Sequence, residues 1–281
     1  MNKKNIVLFT AILLCGSILF SCNNKGKDYA SDLRFDSIKV NETQYLFGDT
    51  AKPNCNVTID YIFPVKASNR TVLDSINKAL TRICFGDKYV GKQYKVAIEL
   101  FKADYVNQYK KEMEPLYTQD KAKSNGENVE AWYSYFKGIE ARVKLKENNL
   151  LVYKVEVNEY TGGAHGTYIT TYLNINLKNG KQIRLDDLFT SGYESKLTDI
   201  LLTQLMKDNK VSKKEELEDM GYFLTGELTP TSNFFIDNKG ITFCYNIYEI
   251  APYSMGITEI KLSFDSLKDL LKEETPINNL L

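Results

Sequence analysis

The one histidine of the chain lies in a glycine-rich segment, Tyr-Thr-Gly-Gly-Ala-His-Gly, that runs from Tyr160 to Gly166. Its imidazole could carry a proton, bind a metal ion or contact a ligand from an exposed turn. The surrounding glycines allow positive φ angles and a close approach of another chain. A catalytic histidine is normally oriented by further polar groups, and no such partner is identifiable in the sequence. We therefore favour a loop role for His165, in which its ring satisfies nearby backbone groups.

No complete catalytic or metal-binding motif is present in the sequence. A zinc hydrolase usually needs two or three histidines, whereas this chain has one. Its cysteines are too scattered for a thiolate site, and it has no GxSxG elbow, P-loop or nucleotide-binding glycine run. We therefore predict no catalytic residue, no metal and no cofactor.

Carboxylates are the remaining route to chemistry, because a glycan hydrolase needs an acid and a base about 5–10 Å apart. Glu159, Asp186 and Asp187 are the residues that such an envelope hydrolase would use. Asp186 and Asp187 directly precede Leu-Phe and a predicted helix, so a turn or capping role is favoured for both. Hydrolysis is kept as an alternative function.

Cys22 ends the sequence Leu-Phe-Ser-Cys, after a basic start and an uncharged apolar run over 6–20. The run is shorter than the roughly 20 apolar residues that span a membrane. The Leu-Phe-Ser-Cys sequence resembles the bacterial lipobox, in which the cysteine is acylated and becomes the first mature residue. We predict a signal peptide over 1–21 and a lipid-anchored tether over 22–50. The body then lies in the periplasm or at the cell surface.

Three cysteines remain in the mature chain, and an oxidising compartment would allow one disulfide among three pairings. Cys55 lies on the apolar face of an alternating strand, and Cys84 continues the apolar stripe of a following helix. A helix packed on that strand could join the two, stabilising the fold by roughly 3–4 kcal/mol. We favour a Cys55–Cys84 disulfide, with Cys244 free in a buried strand.

Composition indicates a folded body with a substantial core. The chain has 19 tyrosines and 14 phenylalanines, and its 36 basic residues balance 36 acidic ones. A near-neutral chain without a basic cluster argues against nucleic acid as a partner.

The periodicity of apolar residues changes along the chain. A helical period predicts helices over 69–84 and 93–114, the second ended by Pro115, and a polar loop follows over 121–130. A period of two then predicts a hairpin over 141–157 and further strands around an Asn-Gly turn at 179–180.

The segregation of helices and strands predicts an α+β fold of two small lobes, each a mainly antiparallel sheet with packed helices. We place the boundary between them near Glu159 to Gly166. This gives an N-terminal domain over 51–159 and a C-terminal domain over 160–274.

Several segments resemble one extracytoplasmic family. They are the glycine-rich stretch 160–166, the Asn-Gly turn, Leu-Asp-Asp-Leu-Phe at 185–189, and Tyr-Glu-Ile-Ala-Pro-Tyr-Ser-Met-Gly at 248–256. The family comprises the C-terminal domain of the anti-sigma regulator RsiV and the non-catalytic domain of the deacetylase PdaC. The stretch 55–159 is similar to the smaller α+β domain commonly found upstream.

The resemblance implies a binding module. RsiV-like proteins bind lysozyme through this domain, but the anti-sigma segment and its transmembrane helix have no counterpart here. PdaC-like proteins carry their deacetylase in a separate domain, whose metal ligands are also missing. We therefore expect a lipid-anchored envelope module that binds lysozyme or peptidoglycan glycan, and a structural envelope lipoprotein is a further alternative. The expected contact residues are Tyr160, Gly162, Gly163, His165, Gly166, Pro252, Tyr253 and Gly256.

Overall fold

The computed structural model describes residues 29–123, 130–224 and 226–280. The predicted signal peptide and Cys22 lie outside the described residues, as does the middle of the predicted polar loop. Within the described ranges, no helix combines the length and the apolar character needed to cross a membrane.

Nine strands and six helices are described, with short 3-10 turns between some of them. In chain order they are β1 Arg34–Tyr45, β2 Asn54–Lys66, α1 Arg70–Phe85, α2 Tyr94–Lys123, β3 Tyr135–Glu147, β4 Leu150–Tyr160, β5 Thr167–Asn176, β6 Lys181–Gln182, α3 Leu185–Leu188, α4 Glu194–Asp208, α5 Lys214–Asp219, β7 Phe234–Asp237, β8 Gly240–Tyr245, β9 Thr258–Ser263 and α6 Phe264–Leu267.

The strands form two sheets, which confirms the α+β prediction. A six-stranded sheet has the order β1-β2-β3-β4-β5-β6, and a three-stranded sheet has the order β7-β8-β9. Every neighbouring pair is antiparallel except β2 and β3. These two are parallel because α1 and α2 carry the chain back between them, as a parallel pair requires.

One face of the six-stranded sheet is covered by α1 and α2, and we call it the covered face. Alternate residues of β2 point into it and are at most 1% exposed, among them Val57, Ile59 and Tyr61. Ile76 and Leu80 of α1 pack against them in one core. Period-two and helical apolar patterns meet here, so the burial follows directly from the sequence.

The tether predicted over 22–50 extends too far, because β1 belongs to the sheet. β1 pairs antiparallel with β2 along its whole length, with Val40 opposite Ile59. Ile38 and Val40 are only partly buried, as expected for an edge strand, and they pack against the core. Such a weak apolar alternation is hard to distinguish from a polar tether in the sequence.

The second helix does not end at Pro115, which lies inside α2. Proline removes one helical hydrogen bond but does not prevent the following turns from packing. Tyr117 is 3% exposed, and its ring lies 5.4 Å from the ring of Tyr133. This tertiary contact stabilises the helix beyond the proline.

The six-stranded sheet continues past the boundary that we placed near Glu159. β4 faces both cores: Leu151 and Tyr153 belong to the core under α1 and α2. Leu150 and Val152 belong to a second core built with the three-stranded sheet and α4. The second lobe therefore packs directly on the face of β4 opposite the covered face.

The favoured Cys55–Cys84 disulfide is absent, and Cys55, Cys84 and Cys244 are all free and buried. The physical reason is a mismatch in rise between helix and strand. The ring of Phe85, at the end of α1, lies 5.3 Å from the ring of Tyr61. Tyr61 is six positions from Cys55 along β2, a separation of roughly 20 Å.

Three asparagines join the two sheets, and we call them the asparagine junction. Asn233 accepts a hydrogen bond from Tyr172 N at 2.8 Å and donates to Thr170 O at 2.8 Å. Asn246 accepts from Thr170 N at 2.8 Å. Asn174 donates to Phe234 O at 2.6 Å and accepts from Ile236 N at 3.1 Å. Side-chain amides thus take the place of neighbouring strand backbone at both sheet edges.

Candidate functional site

Four aromatic side chains meet beside the N-terminal end of β5, and we call them the aromatic cluster. The rings of His165 and Tyr253 stack with centroids 4.8 Å apart and planes inclined by 19°. Tyr168 contacts Tyr253 edge-on at 6.0 Å, and Tyr248 lies 5.9 Å from Tyr253. The cluster brings together the glycine-rich segment and the Tyr-Glu-Ile-Ala-Pro-Tyr-Ser-Met-Gly segment, which are far apart in the sequence.

The glycine-rich segment is the connection between β4 and β5, and it leaves His165 exposed. Gly162 has φ +88°, and a Cβ at this position would lie 2.9 Å from the carbonyl oxygen of Trp132. Only glycine fits such an approach. The hydroxyl of Tyr160 donates to Gly163 O at 2.9 Å. Tyr160, Gly162 and Gly163 therefore shape the loop that carries His165.

The second segment holds Tyr248 in a conformation that is unusual for an aromatic residue. Tyr248 has φ +68°, and it is 52% exposed. Hydrogen bonds from Tyr248 N to Ala251 O and from Asn246 N to the Glu249 carboxylate hold this turn. Strained, exposed positions of this kind concentrate at functional sites.

Pro252 and Gly256 flank the short helical turn that carries Tyr253. A Cβ on Gly256 would lie 3.2 Å from the Tyr168 hydroxyl, so this glycine packs against the aromatic cluster. Among the predicted contact residues, His165 and Tyr253 form the cluster itself. Sequence reasoning missed Tyr168 and Tyr248, although both lie within or beside the motifs that it identified.

The aromatic cluster is suited to binding. Aromatic rings with polar tips offer flat apolar surface and hydrogen-bonding groups together, as sugar rings and protein side chains require. No group of three or more His, Cys, Asp or Glu residues in the described part of the chain could hold a metal ion.

The three carboxylates considered for hydrolysis lie at two separate places, with Glu159 at one and Asp186 and Asp187 at the other. Glu159 accepts a hydrogen bond from the Tyr105 hydroxyl at 2.9 Å and pairs with Lys137 at 3.0 Å. Burial, with the adjoining Glu159 carboxylate, raises the pKa of Tyr105 well above its ordinary value.

Asp186 and Asp187 lie at the other end of β5. Asp187 accepts from Arg184 N at the start of α3, and Asp186 accepts from the Tyr193 hydroxyl. Glu159 of β4 pairs with Thr167 at the start of β5. β6, which directly precedes α3 and its two aspartates, pairs with β5 at Ile175. Eight residues of β5 separate these points by roughly 26 Å. This distance rules out Glu159 acting with either aspartate as an acid and base pair.

The face of the six-stranded sheet opposite the helices is uncovered over β1, β2 and β3, and we call it the open face. It contains a groove of about 450 Å³. The strand register places five residues in one row across this face: Asn41, Thr58, Gly138, Asn158 and Tyr168. The row runs from the edge strand to the aromatic cluster.

Gly138 forms the floor of the groove. The ring of Phe136 lies over it, 3.1 Å from where a Cβ would be, and Thr58 Oγ1 lies 3.3 Å from the same point. Phe136 remains 37% exposed. Sequence reasoning identified the wet face of these strands but assigned it no role, and a glycine within a strand was the signal it missed.

Charged residues next to the groove neutralise one another. Arg142 bonds Asp60 and pairs with Glu140 at 3.0 Å, and Lys39 pairs with Asp60 at 3.1 Å. The hydrogen bond from Arg142 is the main cause that holds the pKa of Asp60 below its ordinary value. The open face therefore presents neutral polar groups beside balanced charges.

Comparison with known proteins finds two family models along the chain. The model described as "Deacetylase PdaC" matches residues 50–168, and "Protein of unknown function (DUF3298)" matches residues 186–265. The peptidoglycan-N-acetylmuramic acid deacetylase PdaC of Bacillus subtilis is 26% identical over 180 residues. That match covers 63% of this chain but only 36% of the deacetylase.

Two solved structures are similar. A member of the DUF3298 family from Bacteroides fragilis is 48% identical, with a TM-score of 0.85 over 89% of this chain and 97% of that one. A DUF3298 family protein from Pseudomonas aeruginosa is 16% identical, with a TM-score of 0.61 over 86% of this chain and 95% of that one. The second likeness concerns the fold alone.

Proposed function

Because the chain belongs to the DUF3298 family and carries a PdaC domain, we propose that it is a lipid-anchored cell-envelope module that binds cell-wall glycan without catalysis. The relative that is named a peptidoglycan deacetylase supports an envelope setting and a glycan ligand. Since this chain spans about a third of that relative, the deacetylase activity itself is not part of the proposal.

The aromatic cluster is the observation that carries the proposal. His165 and Tyr253 form a stacked pair, and Tyr248 stands beside them with half of its surface exposed. The turn holds the ring of Tyr248 exposed beside this stacked pair at a conformational cost. A ligand that stacks on these rings would account for it.

Binding is tested with the full chain and soluble peptidoglycan fragments. The chain has one tryptophan, Trp132, whose backbone carbonyl lies beside Gly162, so its fluorescence provides a readout of binding near this loop. Tyr253→Ala should weaken binding about fivefold or more, because loss of one aromatic stacking contact costs roughly 1–3 kcal/mol.

Phe47→Ala is the matched control for Tyr248→Ala. Phe47 is also 52% exposed and also has a positive φ angle, but it contacts Tyr117 on the N-terminal lobe. Tyr248→Ala should weaken binding and Phe47→Ala should not. Equal loss in both, or no binding by the unaltered chain, would refute the glycan proposal.

The lipid anchor is tested separately through Cys22. Two acyl chains would hold the protein at a bilayer, since each buried methylene contributes about 0.8 kcal/mol. Cys22→Ser should abolish incorporation of labelled fatty acid and release the protein from the membrane fraction. Retention of the label in that variant would show that position 22 is not the lipidated residue.

Lysozyme is a second candidate ligand, favoured by exposed apolar side chains on the second lobe. Leu224 is 74% exposed and Met220 is 47% exposed. Phe223 N donates to Ile250 O, which places this segment beside the turn that carries Tyr248. Tyrosine and methionine are enriched at protein interfaces. Lysozyme is therefore included as a second bait, and Leu224→Asp should weaken its binding but not that of glycan.

A further inference from the structure

The aromatic cluster and the groove of the open face form one continuous surface. Asn158 pairs with Tyr168 across β4 and β5, and Gly138 pairs with Asn158 across β3 and β4. Tyr168 in turn contacts Tyr253. From Asn41 to Tyr168 the row crosses four strand spacings, or roughly 19 Å. The path is long enough for several linked sugar rings.

The groove has the chemistry of a site for a neutral, hydroxyl-rich chain. Within the described residues, no side-chain hydrogen bond involves Thr58 or Asn158, so both are available to a ligand. The exposed ring of Phe136 offers a second stacking surface. The neighbouring carboxylates and cations are already paired with one another. This balance disfavours nucleic acid and strongly charged peptides.

Gly138 keeps the floor of the groove free of a side chain. Gly138 is the position where a side chain would fill the groove, because its Cβ would meet both Phe136 and Thr58. Glycine within a strand weakens the sheet and often marks the close approach of a ligand or another backbone. The PdaC match, 50–168, includes every groove residue from Thr58 to Tyr168.

We infer that a bound glycan chain continues from the aromatic cluster along the open face, over Gly138 and Phe136, with Thr58 and Asn158 as hydrogen-bonding partners. The inference rests on the proposed function, since it extends the same site. It assigns the aromatic cluster to one end of the chain and the groove to the sugar units that follow. Affinity should therefore depend on glycan length.

The experiment compares a peptidoglycan disaccharide with longer fragments of the same glycan, titrated against the full chain. The unaltered protein should bind the longer fragments about tenfold more tightly, as expected from one or two added hydrogen bonds and a stacking contact. Thr58→Val with Asn158→Ala should remove most of this gain and leave disaccharide affinity unchanged. The valine keeps the shape and strand preference of threonine.

Asn107→Ala is the control, because this exposed asparagine lies on α2, on the other side of the sheet. It should keep the full dependence on length. Circular dichroism and thermal midpoints should be unchanged in every variant, which separates loss of binding from loss of fold.

The outcomes distinguish the inference from the function on which it rests. If the disaccharide and the longer fragments bind the unaltered protein equally, or if the double variant keeps the full gain, the groove is not part of the site and the inference is overturned. If no fragment of any length binds, the proposed function fails instead. If the tighter binding of longer fragments is lost in the double variant and kept in Asn107→Ala, the result supports the groove as part of the glycan site.

Discussion

The two faces of the six-stranded sheet are built from the same strands and differ in burial. On β2, the odd-numbered residues from Cys55 to Phe63 are buried under α1 and α2. The even-numbered residues remain partly exposed, and they include Thr58 and Asp60. A period-two sequence thus specifies a core and a partly exposed face at once, and the exposed face is the one that we propose binds glycan. Changes on the covered face should alter stability, whereas changes on the open face should alter binding.

Thiol reactivity should show the largest difference between the faces. Burial raises the pKa of Cys55 to about 12, and Cys84 and Cys244 are also buried. At pH 8 a thiol with this pKa forms over a thousandfold less thiolate than an ordinary cysteine of pKa about 8.5.

Asn158→Cys places a thiol on the open face for comparison, in a background in which Cys15 and Cys22 are both replaced by serine. This thiol should react with a disulfide reagent within minutes, while the three native thiols react only after unfolding. Fewer than three native thiols after unfolding without reductant would show that a disulfide forms.

Phe63→Ala should give the largest loss of stability on the covered face. Phe63 is fully buried, and its ring lies 5.2 Å from that of Tyr61 and 4.1 Å from that of Tyr94. Removal of such a ring costs about 3–5 kcal/mol. Thr58→Val, on the open face of the same strand, should change the free energy of unfolding by less than about 0.5 kcal/mol. Denaturant titration measures both, and similar values would erase the distinction between the faces.

Asn233→Ala should have an intermediate effect, because the asparagine junction joins the open face to the second lobe. The substitution leaves Tyr172 N without this partner, whereas Thr170 O keeps a hydrogen bond from the side chain of Asn246. One buried group left unpaired costs about 1–3 kcal/mol, so a loss in that range is expected. Asn158→Ala is the matched control, and its unfolding free energy should be nearly unchanged. A small loss in Asn233→Ala would mean that water replaces the amide.

The smallest expected effect is the loss of stability in acid that comes from the Asp60–Arg142 pair on the open face. Because Arg142 lowers the pKa of Asp60 in the folded state, the pair contributes stability above the ordinary carboxyl pKa near 3.9. That contribution is lost as the pH falls through the lower folded pKa. The pair is partly exposed, so Asp60→Asn should lower the free energy of unfolding by less than about 1 kcal/mol at pH 7. It should also make that free energy fall less steeply as the pH drops below about 4.

Denaturant titration at pH 7 and pH 3 measures this effect. Asp199→Asn, at an exposed position of α4, is the control. If the difference in unfolding free energy between pH 7 and pH 3 is the same in Asp60→Asn as in the unaltered protein, the ion pair with Arg142 does not contribute to stability.

Local patterns in the sequence predicted the parts of the fold that depend on them. The apolar stripes of α1 and β2, the hairpin of β3 and β4, and the Asn-Gly turn were correctly placed, and they gave the α+β class. β1 was missed because an edge strand needs few buried residues. The disulfide was wrong because it depends on how far a helix rises against a strand. Periodicity contains no such information.

The side chains of the candidate site could be predicted only in part, for a similar reason. Motifs identified His165 and Tyr253, but their stacking depends on two loops that the asparagine junction brings together. Tyr168 closely follows the glycine-rich segment but was not singled out, and Tyr248 begins the 248–256 segment but was not among the expected contact residues. The strain at Tyr248 and the row across the open face exist only once the strand register is fixed. The sequence therefore identifies the segments of the candidate site, whereas the fold is needed to show which of their side chains meet.

β4 contributes side chains to both cores, and this has a consequence for how the chain can be divided. The first family match ends at residue 168 and the second begins at residue 186, which suggests dividing the chain between them. A cut there would fall within or just beyond β5, where one sheet lies between two cores. The N-terminal piece would expose Leu150 and Val152, and the C-terminal piece would lack the surface that closes its core. Either fragment would present unpaired strand edge and bare apolar surface, the usual starting point for aggregation. The chain should therefore melt as one cooperative unit despite its two family matches.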